Sequence, residues 1–242
     1  MAGTGADGAA LLVWFPVLEN QDHRGHLDAG GFGLLLIFAC LTSACITAPA
    51  LESGRPWEVL FDPASTDPLA GWQATAFGGQ GEVELKDDTL VLNTGYPLTG
   101  ITRVGSLPQV PFELEATCRR RVGNDFFCGL TFPVREGHLT LILGGWGGAT
   151  CGLSSLDGAD ASENATCFYL WTPPDQTVGV RLVVESERVR LWLDGNLRLT
   201  QDLKGVRCSV RPEMLPCLPL GFACFSTSAE LDGLRVRAFK GS

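Results

Sequence analysis

The sequence predicts an all-β protein built as a two-sheet β-sandwich of the jelly-roll type. About eleven short strand-like runs follow residue 57, and Gly-rich turns separate them. The chain has 30 Gly, 14 Pro and only 2 Met, which suits a turn-rich β-protein. After residue 50 no stretch carries an apolar stripe with the 3.6-residue period of a helix.

The first 45 residues indicate an export segment. Residues 33–41 form an apolar run of signal-peptide length that is too short to cross a membrane as a helix. Small residues then lead to Cys45 and resemble a bacterial lipobox, although Thr42 stands where Leu is usual. We expect residues 1–45 to direct export, with Cys45 lipidated, and residues 46–56 to form a tether. The expected location is the cell envelope, the periplasm or the medium, with a lipid anchor as the sole membrane contact; the alternative is a cytoplasmic protein with an apolar tail.

The domain is expected over residues 57–240 and begins with an apolar run at 57–61. Further strands are predicted, in chain order, at 82–85, 89–92, 112–119, 126–132, 138–143, 167–171, 178–184, 188–193, 197–201, 218–225 and 234–239. The turn Asp194-Gly195 joins two of them as a hairpin. The longest irregular stretch is 144–166, and loops of that length are usually functional or disordered.

The strand 188–193 alternates between two kinds of side chain. One face carries Val189, Leu191 and Leu193, and the other carries Arg188, Arg190 and Trp192. An aromatic ring between cations suits a sugar, because the ring stacks on a pyranose while the charges bond its hydroxyl groups. The alternative is that a loop or the second sheet covers Trp192.

The acidic balance and the cysteines narrow the possible partners. A net charge of −9 argues against a nucleic-acid partner, which needs a basic face. No cysteine pattern has zinc spacing. Cys118 and Cys224 are predicted to be buried and unpaired, since their neighbours on the same strand face are apolar. Cys208 and Cys217 flank a Pro-rich loop and are the best candidates for a disulfide.

Several segments together resemble one known family, the 3-keto-disaccharide hydrolase domain family, formerly a domain of unknown function. They are 57–62, 69–72, 88–92, 112–115, Arg119 with 123–124, and 189–195. The segments 124–133, 144–148, 152–158 and 211–213 resemble a planctomycete-type branch of it. The resemblance implies a concanavalin A-like (laminin G-like) jelly roll and a hydrolase that acts on carbohydrate. Thr117 stands where family members commonly carry an acid, which favours the alternative of a non-catalytic carbohydrate-binding or interaction module on the cell envelope.

Cleavage of a 3-keto-glycoside by elimination needs a base near C2, an electrophile at the ketone and an acid at the leaving oxygen. The candidate catalytic residues are Asp157, His138, Glu115 and Arg119, and the candidate substrate-binding residues are Trp192, Arg190, Trp146, Asn124, Asp125 and Glu163. We expect the Trp192 face to be concave and loop 144–166 to bring Trp146 and Asp157 to its rim.

Each candidate also has a structural alternative, and the metal stays open. Glu115 and Arg119 would serve equally in charge pairs on a solvated face, and Asn124-Asp125 in a turn. Acids of loop 144–166, among them Asp157 and Glu163, would either cap local turns or bind a divalent cation such as Ca²⁺, although EF-hand spacing is absent.

Overall fold

The described part of the chain is almost entirely β-structure. A computed structural model describes residues 55–107 and 109–239. Its elements are β1 (Glu58–Val59), β2 (Trp72–Ala74), β3 (Val83–Lys86), β4 (Thr89–Leu92), β5 (Leu98–Arg103), β6 (Phe112–Gly123), β7 (Cys128–Val134), β8 (Gly137–Gly145), β9 (Thr150–Ser154), β10 (Phe168–Tyr169), β11 (Thr177–Val184), β12 (Arg188–Leu193), β13 (Asn196–Asp202), a 3-10 helix (Pro212–Cys217), β14 (Gly221–Phe225) and β15 (Thr227–Ala238). Within these ranges no helix is long and apolar enough to cross a membrane. The predictions for residues 1–45, for Cys45 and for the tether up to residue 54 lie outside the described residues.

The strands form two antiparallel sheets. The eight-stranded sheet has the order β13-β12-β11-β6-β15-β4-β3. The short strand β1 pairs with the second half of β15, on the edge opposite β6. The seven-stranded sheet has the order β10-β9-β8-β7-β14-β5-β2. Neighbouring strands are often distant in sequence, as where β6 lies between β11 and β15. The predicted all-β, two-sheet sandwich is confirmed.

Period-2 alternation places the core between the sheets. Leu114, Leu182 and Leu191 point inward from the eight-stranded sheet, and Leu130 and Leu141 point inward from the seven-stranded sheet; all five side chains are buried in one cluster. Each such leucine stabilises the fold by roughly 1.5–3 kcal/mol relative to an exposed one. The residues between them point to the outer faces, where a ligand can reach them if no neighbour covers them.

Residues 144–166 are not one irregular loop, because they contain the strand β9. Its sequence, Thr-Cys-Gly-Leu-Ser, has few of the β-branched and aromatic residues that mark a strand, yet all five residues are buried. The pairing with β8 and β10 makes β9 an interior strand. Strand β5 was also missed, and the predicted run at 234–239 is the second half of the longer strand β15.

The cysteines are all free thiols in the described part of the chain. Cys118 and Cys224 are buried and unpaired, as predicted, and burial raises the pKa of Cys224 to about 12. The predicted disulfide between Cys208 and Cys217 is wrong. Cys217 is the last residue of the 3-10 helix and packs with Met214 and Ala223, whereas Cys208 pairs with Leu156 just after β9.

Candidate functional site

Trp192 lies on the outer face of the eight-stranded sheet, but its ring is not available to a ligand. The residue is only 5% exposed. The guanidinium carbons of Arg181 and Arg190 lie 4.7 Å and 5.5 Å from the ring centroid. The expectation of an exposed Trp192 ring is therefore wrong, because two cations on neighbouring strand positions already occupy it.

The other predicted residues on this face are engaged in ion pairs. Glu115 accepts hydrogen bonds of 2.9 Å and 2.5 Å from Arg235. Arg119 pairs with Glu230. Arg190 donates to Glu185 at 3.0 Å. The predicted charges are present on this surface, but they neutralise one another.

A cleft of about 270 Å³ opens on the outer face of the seven-stranded sheet. It is lined by Asp125, Phe126, Thr140, Ile142, Trp146, Ser154, Arg211, Glu213, Met214 and Phe225. Its floor is the outward side of β8 and β9, since Leu141 and Leu153 point into the core and Thr140, Ile142 and Ser154 point away from it. We call this set of ten residues the cleft.

One wall of the cleft is the turn that joins β8 to β9, and Trp146 is its tip. The Trp146 side chain is 44% exposed, and its backbone φ is +47°. Gly144 and Gly148, which flank the tip, also have positive φ, so the turn needs residues that tolerate the left-handed region. A Cβ at Gly144 would lie 2.3 Å from a guanidinium nitrogen of Arg120. The glycines thus allow the close approach of Arg120 beneath the turn.

Arg120 holds this turn from inside the sandwich. It is 1% exposed and donates hydrogen bonds to the carbonyl oxygens of Gly144 at 3.2 Å, Gly148 at 3.0 Å and Thr172 at 3.3 Å. Burial lowers the pKa of Arg120, and the nearby Asp125 carboxylate opposes that shift. Sequence reasoning missed Arg120, because its role depends on carbonyl groups from two other segments of the chain.

The opposite wall carries a cation between two carboxylates. Arg211 pairs with Asp160 at 2.6 Å and with Glu213 at 2.6 Å. Asp160 also accepts hydrogen bonds from the hydroxyl groups of Ser154 and Ser155 at 3.2 Å and 3.3 Å. Because its guanidinium is fixed by two partners, Arg211 presents its remaining donors from a defined position.

Aromatic rings and a carboxylate close the cleft between these walls. The rings of Phe126 and Phe225 lie 5.7 Å apart between centroids, at 40°. The Asp125 carboxylate accepts a hydrogen bond from the Phe126 amide at 2.7 Å. Asn124 is exposed in the hairpin turn just before Asp125. Two carboxylates, those of Asp125 and Glu213, therefore line the cleft.

The remaining predicted residues lie outside the cleft lining. Asp157 sits in an exposed turn, where its carboxylate accepts a hydrogen bond from the Arg207 amide at 2.9 Å. Glu163 is exposed on the loop after β9. His138 is half-buried on the outward side of β8, two residues before Thr140, and burial lowers its pKa. The expectation that Asp157 and Trp146 would meet at the Trp192 face is wrong, because β8 and β9 belong to the other sheet.

The acidic loop does not fit a calcium ion. Asp160 is committed to Arg211, and Asp157 to the Arg207 amide. Across residues 55–107 and 109–239, no group of three His, Cys, Asp or Glu side chains is arranged to hold a metal ion. Asp157 and Asp160 therefore serve a local turn and an ion pair.

The structure brings Trp146 and Asp125 into one cleft, with Asn124 beside it. It leaves Trp192, Arg190, Glu115 and Arg119 on the other sheet. Sequence reasoning missed Arg211, Glu213, Thr140 and Ser154 as lining residues. The available signal was the Arg211-Pro-Glu213 segment, which entered only as part of the family resemblance.

Comparison with known proteins identifies the fold. No family model matches the sequence, and no curated protein matches it. Among solved structures, apo Crh5 transglycosylase is similar with a TM-score of 0.53 and 11% identity, over 79% of this chain and 91% of that one. A variant of SCLam, an endo-β-1,3(4)-glucanase from family GH16, is similar with a TM-score of 0.53 and 10% identity, over 77% of this chain and 98% of that one. At such low identity the likeness shows the fold alone, a jelly-roll β-sandwich.

Proposed function

We propose that this protein binds a carbohydrate in the cleft. The observation that carries the proposal is the half-exposed ring of Trp146 beside Asp125, Arg211 and Glu213. A few oriented polar groups around an apolar surface are what a sugar site requires. Two proteins of the same fold support the proposal: Crh5 transglycosylase is described in complex with NAG, and the SCLam variant with a 1,3-β-D-cellobiosyl-glucose at its active site.

Recognition follows from the arrangement of the lining. The apolar face of a pyranose stacks on the Trp146 ring. Its hydroxyl groups receive hydrogen bonds from Arg211 and donate to the carboxylates of Asp125 and Glu213. The Thr140 hydroxyl on the floor is already hydrogen-bonded to the Thr131 hydroxyl at 3.0 Å. Its main contribution is therefore to the shape of the cleft and not to a further hydrogen bond with the sugar.

Binding is tested with immobilised and soluble glycans, measured by calorimetric titration. Trp146→Ala is expected to weaken binding by roughly 1–3 kcal/mol, as for a central aromatic anchor, with unchanged unfolding. Trp57→Ala is the matched control, because Trp57 is a half-buried tryptophan that contacts Arg235 and Arg237 on the other sheet. Equal losses in both variants would contradict the cleft as the site.

The family resemblance supports a finer proposal, cleavage of 3-keto-glycosides. A carboxylate removes the proton at C2 while the bond from C1 to the leaving oxygen breaks, and that oxygen receives a proton; water then adds to the enone at C1. Asp125 and Glu213 are the cleft carboxylates that suit the base and the acid, and Arg211 suits the ketone oxygen. The earlier candidates Asp157, His138, Glu115 and Arg119 stay predictions and enter the same assay.

The experiment incubates the full chain with 3-keto-glycosides and follows release of the leaving sugar. Turnover that is lost in Glu213→Gln or Asp125→Asn, with binding retained, supports catalysis in the cleft. Binding without turnover in the unaltered protein favours the second candidate, a carbohydrate-binding module. Thr117 in place of the family's usual acid is the observation behind that alternative.

Export and lipidation are part of the same proposal. The apolar run at 33–41 and the small residues before Cys45 support it. Incorporation of labelled fatty acid in a bacterial host, lost in Cys45→Ser, tests it. Recovery of an unlabelled chain of full length from the cytoplasm would contradict it.

A further inference from the structure

Exposed aromatic side chains concentrate at one edge of the seven-stranded sheet. In the described part of the chain, the exposed large aromatic residues are Tyr96, Trp146, Tyr169 and Trp171. Tyr169 is 78% exposed and Trp171 is 61% exposed. Both belong to the segment that pairs with β9 and runs alongside the turn that carries Trp146.

Strand pairing sets the spacing of the backbone between Tyr169 and the Trp146 turn. Tyr169 pairs with Thr150 of β9, and Thr150 pairs with Gly145, the residue before Trp146. Two strand spacings separate Tyr169 from Gly145, about 10 Å. The backbone at Tyr169 thus lies farther from the backbone of the Trp146 turn than the width of a single pyranose ring.

Tyr169 and Trp171 are exposed, whereas Phe168 and Leu170, on either side of Tyr169, are partly buried. Phe168 and Leu170 pack against the core, so the intervening Tyr169 points to the outer face that also carries the cleft. A Cβ on Gly148 would lie 3.2 Å from the Trp171 ring, which therefore rests against the Trp146 turn. Exposed aromatic rings offer flat apolar faces on which sugar rings can stack.

The same buried cation fixes both parts of this surface. The Arg120 guanidinium carbon lies 5.9 Å from the Trp171 ring centroid. Arg120 also bonds the carbonyl oxygens of Thr172 and Gly148. The Leu170 amide donates to the Ala149 carbonyl at 2.8 Å. The Trp171 ring and the backbone of the Trp146 turn, held in this way, lose little conformational freedom on binding, which favours stacking.

We propose that Tyr169 and Trp171 form a second glycan subsite, contiguous with the cleft. The ligand class is then an oligosaccharide or polysaccharide chain, with one sugar on Trp146 and later sugars along Trp171 and Tyr169. The inference rests on the proposed binding of carbohydrate in the cleft. It adds the length of the ligand, which the cleft alone does not specify.

The test measures how affinity depends on chain length. Gluco-, xylo-, manno- and chito-oligosaccharides, from monosaccharide to hexasaccharide, are titrated into the full chain. We expect affinity to rise with length. Trp171→Ala and Tyr169→Ala each lower the affinity for the hexasaccharide by about tenfold, the effect of an aromatic contact worth about 1.4 kcal/mol, and leave the shortest binding ligand unaffected.

Control variants separate the outcomes. Tyr169→Phe keeps the ring and retains the length dependence, and Trp57→Ala leaves every affinity unchanged. If hexasaccharide affinity survives both alanine variants while Trp146→Ala removes it, the second subsite is overturned and the cleft stands. If no oligosaccharide binds the unaltered protein, the proposed function itself fails. A change of sedimentation behaviour in the alanine variants, without a change in glycan affinity, would show a self-association surface and overturn the subsite.

Discussion

The two outer faces of this sandwich carry similar residue types and use them differently. The eight-stranded sheet presents tryptophans, arginines and glutamates that contact one another, as Trp192 contacts Arg181 and Arg190. The seven-stranded sheet presents a half-exposed tryptophan and charges that surround an open volume. A pattern of aromatic and charged residues therefore does not distinguish a face with an open cleft from one whose residues bind each other.

The two faces differ in whether their charged and aromatic side chains are already occupied by neighbouring side chains. Glu113 on β6 is fully buried and is bonded by both Arg181 and Arg237, the latter at 2.7 Å. Such a group has no capacity left for a ligand. In the cleft, Trp146 is half-exposed and Arg211 lies at the surface between its two carboxylates. Variants on each face are expected to affect different measurements.

The largest expected effect is on the eight-stranded face. Trp192→Ala should lower the free energy of unfolding by about 3–5 kcal/mol, because it empties a buried site and removes two cation–π contacts. Urea unfolding measures this loss, and glycan affinity per folded molecule should stay unchanged. A loss of glycan affinity without a loss of stability would reverse the assignment of the two faces.

A second variant on the same face tests the charge network. Glu113→Gln should lower the free energy of unfolding by about 3 kcal/mol, since it leaves two arginines without their shared buried carboxylate. Arg181 and Arg237 are partly exposed, which keeps the expected loss near the lower limit for breaking a buried ion pair. Glu58→Gln is the control, because Glu58 is exposed and 3.7 Å from Arg103, where the expected change is at most about 1 kcal/mol. Equal losses would mean that burial does not set the strength of these pairs.

Arg120 connects the two regions, so its variant should affect both measurements. Arg120→Met removes the donors to three carbonyl groups, and we expect a loss of about 2 kcal/mol in stability. Glycan affinity should also fall, by about tenfold, because the Trp146 turn loses its support. Calorimetric titration at a temperature where the variant is folded measures the second effect. Affinity equal to that of the unaltered protein would show that the turn holds its shape without Arg120.

The smallest expected effect comes from His138. Burial lowers its pKa below the ordinary value of 6.5, so the folded state binds its proton less readily than the unfolded state. Protonation of His138 therefore costs the folded state no stability above about pH 6.5, and it lowers the free energy of unfolding increasingly as the pH falls below that value. Unfolding measured between pH 7 and pH 5 should show a shallower decline in His138→Gln. Because His138 lies outside the cleft lining, the glycan affinity of this variant should match that of the unaltered protein over the same range.

The fold could be predicted because it depends on local patterns. Alternation at 112–118 and 188–193 marks strands whatever their neighbours are, and Asp194-Gly195 marks the hairpin between β12 and β13. Strand β9 escaped prediction because its burial comes from the strands on either side and not from its own composition. Local signals therefore gave the class of the fold, and pairing partners supplied the missing strands.

The candidate site depended on which distant segments meet. Trp146 and Asp125 were chosen from the sequence, but the Arg211 and Glu213 that line the same cleft come from the start of the 3-10 helix, many residues later in the chain. Alternation alone placed Trp192 on an outer face, and only the packing of β11 beside β12 put Arg181 on its ring. The sequence by itself determined the sandwich and the direction in which each strand residue points. The tertiary structure decided which outward residues are occupied by other side chains and which stay open to a ligand. The reason is that the contacts come from neighbouring strands, which no local pattern encodes.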